Sequence, residues 1–285
     1  MRHLKSLLWL LVLFGFAQAR AEVTVLVHGY LGSDRSWMET GIVETLQQRG
    51  HTHAGIYFYA LDGIRFHAIG AIPEQRPVYT VNLPSTAPLI LQADWLAAYL
   101  HDIGERHPGQ SITLVGHSAG GLVARLYLVR HAPANVGHLI TIATPHQGTQ
   151  RAIQALSATS SGGLFGPIKR WAVERRTGSP LYHLLRSSRG VLFDMTPPRP
   201  GNLLFWLNSQ PHPAIRYTSI IRVGTFRMPG DQLVPPLSQD LRLIAPVADI
   251  AHSYSMAQGH LLTPQDGHLL ANLLDMPLEP APSAE

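Results

Sequence analysis

A glycine-flanked serine lies between a strand-like run and a helix-like run near the middle of the chain. Residues 111–115, Ser-Ile-Thr-Leu-Val, are rich in β-branched side chains, and they pass directly into Gly-His-Ser-Ala-Gly at residues 116–120. Residues 122–131 then favour a helix, and residues 138–143 favour another strand. Parallel strands need such a crossover, and parallel sheets are covered on both faces. The chain is therefore predicted to be an α/β protein with a mainly parallel central sheet and helices on both faces.

The rest of the chain extends this pattern and contains one long interruption. Residues 51–77 show no sustained period and are predicted as loop and short elements, whereas residues 151–213 lose the strand signal and carry short helical pieces. We interpret residues 151–213 as a lid-like insertion within one domain, residues 22–285. Further strands are predicted at 23–27, 78–83, 215–223 and 241–247, and further helices at 36–49 (capped by Gly50), 89–103 and from about 263.

The N-terminus has the pattern of a signal peptide. Arg2 and Lys5 precede an apolar run at residues 7–17, and two small-x-small sites follow, with cleavage after Ala19 or Ala21. The apolar run is too short to span a bilayer comfortably. Residues 1–21 are therefore predicted to direct export, to the periplasm or the medium.

Composition excludes several function classes. The chain has no cysteine, so thiol catalysis and thiolate metal sites are excluded, and its sixteen histidines include no His-Glu-x-x-His pair. No metal or other cofactor is predicted. Removal of the three basic residues of the signal peptide from the 22 in the chain leaves 19 against 18 acidic residues, a net charge of +1. No basic face interleaved with aromatic residues is visible, so nucleic acid is not an expected partner.

Ser118 has the context of a catalytic nucleophile. The Gly-x-Ser-x-Gly pattern between a strand and a helix is the nucleophile elbow of the α/β-hydrolase fold, in which an acid and then a histidine follow the serine along the chain. Asp231 is the predicted acid, because it follows the strand at residues 215–223 in a loop bounded by glycine and proline. Asp249 and Asp240 are the alternatives.

His260 is the predicted base. A serine hydroxyl needs a base within hydrogen-bond distance, and the base needs a third group to fix its ring. His260 follows the last predicted strand and precedes the last helix, whereas His268 falls inside that helix and His252 precedes the loop. His268 and His252 remain alternatives.

The oxyanion of the reaction also needs backbone donors. One is expected from the residue after the nucleophile, Ala119, and the other from the loop after an early strand. That loop contains His28, Gly29 and Tyr30, and the N–H of Tyr30 is the second predicted donor.

Three blocks of the sequence resemble bacterial secreted triacylglycerol lipases and related esterases of the α/β-hydrolase superfamily. They are residues 27–32, 116–122 and 142–149, in the same order as in that family. The resemblance implies an oxyanion hole at Tyr30 and Ala119, an acid loop at residues 230–235 and a base in the Gly-His-Leu-Leu stretch at residues 259–262. The chain departs from some secreted lipases in having no cysteine pair, and no calcium site can be matched by residue.

The insertion favours a lipid substrate, and the alternative is an insertion whose apolar side packs on the sheet and whose arginines are solvated. Between residues 151 and 200 there are eight basic and two acidic side chains, interspersed with apolar ones. Such a segment suits a cover that contacts acyl chains and makes transient contact with a lipid interface. The predicted function is hydrolysis of carboxylic esters, with lipid or acylglycerol esters favoured. The alternatives are hydrolysis of soluble short-chain esters, thioesters or phospholipids, and a non-catalytic lipid-binding protein on a hydrolase scaffold.

Overall fold

Eight strands form one sheet in the spatial order β3-β2-β4-β1-β5-β6-β7-β8. The structure is a computed structural model that describes residues 22–73, 75–159, 179–226 and 230–276. Every neighbouring pair is parallel except β2 and β3. The strands are β1 (Glu22–Val27), β2 (Thr52–Ala60), β3 (Gly63–Ala68), β4 (Pro77–Val81), β5 (Ser111–His117), β6 (Val136–Ile142), β7 (Arg216–Arg222) and β8 (Ala251–Met256).

Helices cover both faces of this sheet, which confirms the predicted fold. The described helices are α1 (Ser36–Glu39), α2 (Ile42–Gln48), α3 (Leu89–Arg106), α4 (Ala119–His131), α5 (Gln150–Thr159), α6 (Ser179–Ser187), α7 (Arg189–Asp194), α8 (Leu203–Ser209), α9 (Pro236–Gln239) and α10 (Pro264–Leu274). Trp37, Leu46 and Leu270 from α1, α2 and α10 form the core on one face. Leu96 and Leu122, from α3 and α4, belong to the core on the other.

The region before β4 differs from the prediction in two ways. The helix predicted at residues 36–49 is two short helices, because Gly41 adopts a left-handed φ of 74° between them. Residues 51–77, predicted as loop and short elements, contain the hairpin of β2 and β3. The register of β2 against β4 shifts between His53 and Gly55, and such a bulge interrupts the alternation by which a strand is recognised.

The strand predicted at residues 241–247 is also wrong. The segment forms two short 3₁₀ turns, Leu241–Leu243 and Ala245–Val247. Asp240 caps the first by accepting the N–H of Arg242 at 3.0 Å, and Pro246 has no N–H to donate to a ladder. The last strand is β8, Ala251–Met256, an edge strand in which His252, Ser253 and Ser255 interrupt the apolar residues.

The insertion is helical where the structure describes it. It contributes α5, α6, α7 and α8, and residues 160–178 lie outside the described residues. Asp194, at the end of α7, accepts the N–H of Leu89 at 2.8 Å and so ties the insertion to the start of α3. The predicted signal peptide also lies outside the described residues, and within the described ranges no helix is long and apolar enough to span a membrane.

Histidines with lowered pKa values should make the folded protein less stable as pH falls. Burial, aided by Arg216, lowers the pKa of His138 to about 3, and burial, aided by nearby arginines, lowers the pKa of His51 and of His212 to about 4. In the unfolded chain the same groups take up protons near pH 6.5. The unfolded state therefore binds more protons between about pH 6.5 and 4, and stability falls as pH falls through that window. Urea unfolding at pH 7, 6, 5 and 4.5 should show this decline.

A matched variant tests the cause of this pH dependence. His138 lies 2.9 Å from the hydroxyl of Thr218, and glutamine can keep a hydrogen bond there without titrating. His138→Gln should make the loss of stability below pH 6.5 shallower. A stability that stays level or rises as pH falls would contradict the prediction.

Candidate active site

Ser118 lies at the tight turn between β5 and α4. It has φ 52° and ψ −125°, a conformation that is strained for a residue with a side chain, and such strain clusters at functional sites. A side chain on Gly120 would collide with the carbonyl oxygens of Val27 and His28, so α4 can approach β1 this closely only with glycine there. The serine is thereby presented at the carboxyl edge of the parallel strands, at the N-terminus of a helix.

His260 and Asp231 meet Ser118 in one hydrogen-bonded chain. The Nε2 of His260 lies 2.9 Å from the Oγ of Ser118, and its Nδ1 lies 2.7 Å from the Oδ2 of Asp231. The side chain of Asp231 is fully enclosed, and that of His260 is 12% exposed. The structure therefore brings together the three residues predicted from the sequence, although they come from loops after β5, β7 and β8.

The partners of Asp231 keep it ionised and fix the orientation of the imidazole. Burial would raise the pKa of Asp231, but the hydrogen bond and charge of His260 and the N–H groups of Val234 and Leu233 outweigh it, so the pKa is lowered. An ionised carboxylate can only accept, so Nδ1 of His260 carries the proton. Nε2 is then free to accept the hydroxyl proton of Ser118, which is what a general base needs.

The alternative acids and bases lie elsewhere. Asp240 caps a 3₁₀ turn and pairs with Arg242 at 2.7 Å, and Asp249 is exposed in a turn before β8. His252 is an exposed residue of β8, opposite Thr218 in the register of the edge pair. His268 lies within α10, as predicted, and is exposed.

The predicted oxyanion donors flank Ser118. Ala119 begins α4, and the first N–H groups of a helix have no acceptor within it. The loop that carries Tyr30 passes close to the serine, since a Cβ on Gly29 would lie 2.9 Å from the Cβ of Ser118. Among the described loop residues, no backbone hydrogen bond uses the N–H of Tyr30. Both N–H groups are therefore available, and their role as donors stays a prediction.

Gln239 is a site residue that sequence reasoning missed. It is 1% exposed, and its side-chain amide donates to Oδ2 of Asp231 at 3.0 Å and to the carbonyl of Val234 at 2.8 Å. Its oxygen accepts the N–H of Arg222 at 2.8 Å. Gln239 thus ties the carboxylate to the end of β7. No local pattern marks this glutamine, because its partners are brought to it by the fold.

The loop after β6 supports the acid loop. The hydroxyl of Ser238 donates to the carbonyl of Gly148 at 2.6 Å, and the N–H of Gln147 lies 3.2 Å from the same hydroxyl. Thr149 donates to the carbonyl of Leu233. This gives a structural role to residues 142–149, the third block of the sequence resemblance.

A buried ion pair anchors the loop of His260. Nη1 of Arg222 lies 2.8 Å from Oδ1 of Asp266, and both side chains are fully enclosed. Asp266 also accepts the N–H of Thr263 in a capping box at the start of α10, and Nη1 of Arg222 donates to Gln258 at 3.2 Å. The loop is therefore held on both sides of His260.

Comparisons with known proteins agree with this fold. A family model described as alpha/beta hydrolase fold matches residues 23–191. Triacylglycerol lipases of Pseudarthrobacter phenanthrenivorans and Burkholderia plantarii are each 29% identical over 161 residues, which cover 54% of this chain but 42% and 38% of those relatives. The match thus spans less than half the length of either relative.

Solved structures resemble most of the chain at low identity. The mature form of the Bacillus licheniformis lipase BlEst2 has a TM-score of 0.56 at 17% identity, covering 90% of this chain and 92% of that one. The lin2722 product of Listeria innocua has a TM-score of 0.57 at 16% identity, covering 90% and 94%. At this identity the likeness shows the fold alone.

Proposed function

Because the chain belongs to the α/β-hydrolase fold family, we propose that it is an exported serine hydrolase that cleaves carboxylic esters through Ser118, His260 and Asp231. The observation that carries the proposal is the continuous hydrogen-bonded chain from Oγ of Ser118 through the imidazole of His260 to the carboxylate of Asp231. Export rests on the charged, then apolar, then small-residue pattern of residues 1–21.

The reaction follows from the donors and acceptors of the site. His260 accepts the hydroxyl proton at Nε2 while Oγ of Ser118 attacks the ester carbonyl, and Asp231 stabilises the imidazolium. The N–H groups of Ala119 and Tyr30 bind the oxyanion. Collapse breaks the bond to the alcohol, which leaves with the proton from His260. Water, deprotonated by the same imidazole, then hydrolyses the acyl-enzyme and restores the hydroxyl of Ser118.

Exposed leucines support a substrate with a long acyl chain. The three loops that meet at Ser118 each expose one, namely Leu31, Leu233 and Leu261, the last of these 74% exposed beside His260. If these side chains form one apolar surface at the site, that surface suits contact with an acyl chain. Two relatives that match this chain are triacylglycerol lipases, which also supports lipid or acylglycerol esters as substrates.

Activity should increase with acyl-chain length. The purified protein should react with a fluorophosphonate probe and hydrolyse p-nitrophenyl palmitate, with a rise in rate above the aggregation concentration of the ester. Leu261→Ser should lower kcat/KM for the palmitate about tenfold, since a buried leucine contributes about 1.5–3 kcal/mol, and should leave the butyrate nearly unchanged. Steady-state kinetics on both esters measure this difference.

Met276→Ser is the matched control. Met276 is also exposed, but it lies far from the site. It follows Asp275, which pairs with Arg76 just before the start of β4, at the amino end of the strands, whereas Ser118 lies at their carboxyl end. Its replacement should leave kcat/KM unchanged for both esters. Efficient turnover of the butyrate alone would favour a hydrolase of soluble esters, and a protein that neither labels nor turns over either ester would overturn the proposed function.

A further inference from the structure

His117 connects the nucleophile turn to the loop of the base. It is the last residue of β5 and directly precedes Ser118. Its ring is partly buried, and Nε2 lies 2.9 Å from the backbone carbonyl oxygen of His260. The two imidazole rings have centroids 5.2 Å apart, in a tilted arrangement. The side chain of the residue directly before Ser118 therefore contacts the backbone of His260.

The contact with the carbonyl oxygen fixes which ring nitrogen of His117 carries the proton. A carbonyl oxygen can only accept, so Nε2 carries the proton and donates. Burial, reinforced by the nearby His260, lowers the pKa of His117, so the ring is neutral. A neutral donor can hold the His260 carbonyl without adding a positive charge beside the imidazolium that forms during the reaction.

Between the anchors at Gln258 and Thr263, the backbone of residues 259–262 has little else to hold it. Residues 257, 259 and 261 are exposed, and the neighbouring backbone bonds lie at Gln258 and Thr263. Among the residues that the structure describes, the bond from His117 is the one hydrogen bond to the backbone of residues 259–262. The ring also lies beside the oxyanion loop, since a Cβ on Gly29 would be 3.4 Å from Nδ1 of His117.

We propose that His117 is a positioning residue, whose Nε2–H holds the carbonyl of His260 and thereby fixes the imidazole relative to Ser118. This inference rests on the proposed function. The residue acts through His260 and contacts no reacting atom. Without the hydrogen bond, the backbone of His260 is free to shift, and a displacement of the base by about 1 Å can cost up to about 100-fold in rate.

Two amide variants test the inference. The side-chain nitrogen of glutamine can reach the position of histidine Nε2, whereas that of asparagine stops short of it. His117→Gln should therefore keep kcat for p-nitrophenyl butyrate within about threefold, and His117→Asn should lower it about tenfold or more with KM nearly unchanged. Fluorophosphonate labelling should slow in the same ratio as kcat. Thermal unfolding of both variants checks that each is folded.

The outcomes separate this role from a structural one. A structural role would lower the melting temperature of both variants without separating their kcat values. Equal kcat for His117→Asn and wild type would overturn the positioning role, and so would an equal loss in both variants. If His117→Asn does not fold, His117→Met replaces it as the variant without a donor, with the same expected loss. A wild type that neither labels nor turns over would instead overturn the proposed function and the inference with it.

Discussion

Ser118→Ala is expected to lower kcat for ester hydrolysis by about 10⁴-fold or more, because removal of any member of a serine triad leaves little beyond oxyanion binding. The hydroxyl is the sole group in the site that lies within hydrogen-bond distance of Nε2 of His260 among the described residues. Alanine also fits the turn as well as serine does, since both carry a Cβ in the same strained conformation. Folding should therefore be retained while activity is lost.

The measurement is kcat on p-nitrophenyl butyrate together with fluorophosphonate labelling. Ser255→Ala is the matched control, because Ser255 is an exposed serine on the edge strand β8. The control should label and turn over like wild type, and Ser118→Ala should do neither. Full activity in a folded Ser118→Ala protein would show that another residue is the nucleophile.

Asp266→Ala is expected to lower the free energy of unfolding by about 3–5 kcal/mol, because it leaves the fully enclosed guanidinium of Arg222 without its carboxylate. The same change removes the acceptor for the N–H of Thr263 at the start of α10. Urea unfolding at pH 7, followed by circular dichroism, measures the loss. Catalysis should suffer as well, because Thr263 ends the loop that carries His260.

Asp94→Ala provides the comparison with an exposed ion pair. Asp94 pairs with Arg130, and its side chain is 47% exposed, so its loss should cost about 1 kcal/mol or less. The double variant Arg222→Met/Asp266→Leu removes both buried charges and should recover much of the stability that Asp266→Ala loses. Equal losses of unfolding free energy in Asp266→Ala and Asp94→Ala would show that the buried pair contributes no more to stability than the exposed one.

Local patterns predicted the parts of the site that depend on local structure. The strand before Ser118 and the helix after it are recognisable from β-branched and apolar residues, and the chain order of such sites then directs attention to Asp231 and His260. The contacts of Gln239, Arg222 and His117 could not be predicted this way. Arg222 and His117 contact residues that are distant in sequence, Gln239 contacts Asp231 from eight residues further along the chain, and none of the three belongs to a pattern with its partner.

The errors in the predicted strands have equally specific causes. Strand β8 lies at an edge of the sheet and carries three polar residues among its six, so its sequence gives little strand signal. Residues 241–247 are apolar because Leu241, Ile244 and Val247 are buried, but they pack as turns and not as a strand. Apolar content reports burial, and it reports the backbone conformation only where a period is also visible.

The parallel pairing of β6 and β7 limits how far this protein can be shortened. β6 ends at Ile142, at the carboxyl end of the strands where Ser118 lies, and its neighbour β7 starts at Arg216, at the opposite end. The chain between them must therefore return along the full length of the strands. A parallel crossover needs about a dozen residues or more. Any shortened connection between Ile142 and Arg216 must therefore keep at least that total length, or the acid-bearing loop after β7 will no longer reach the serine.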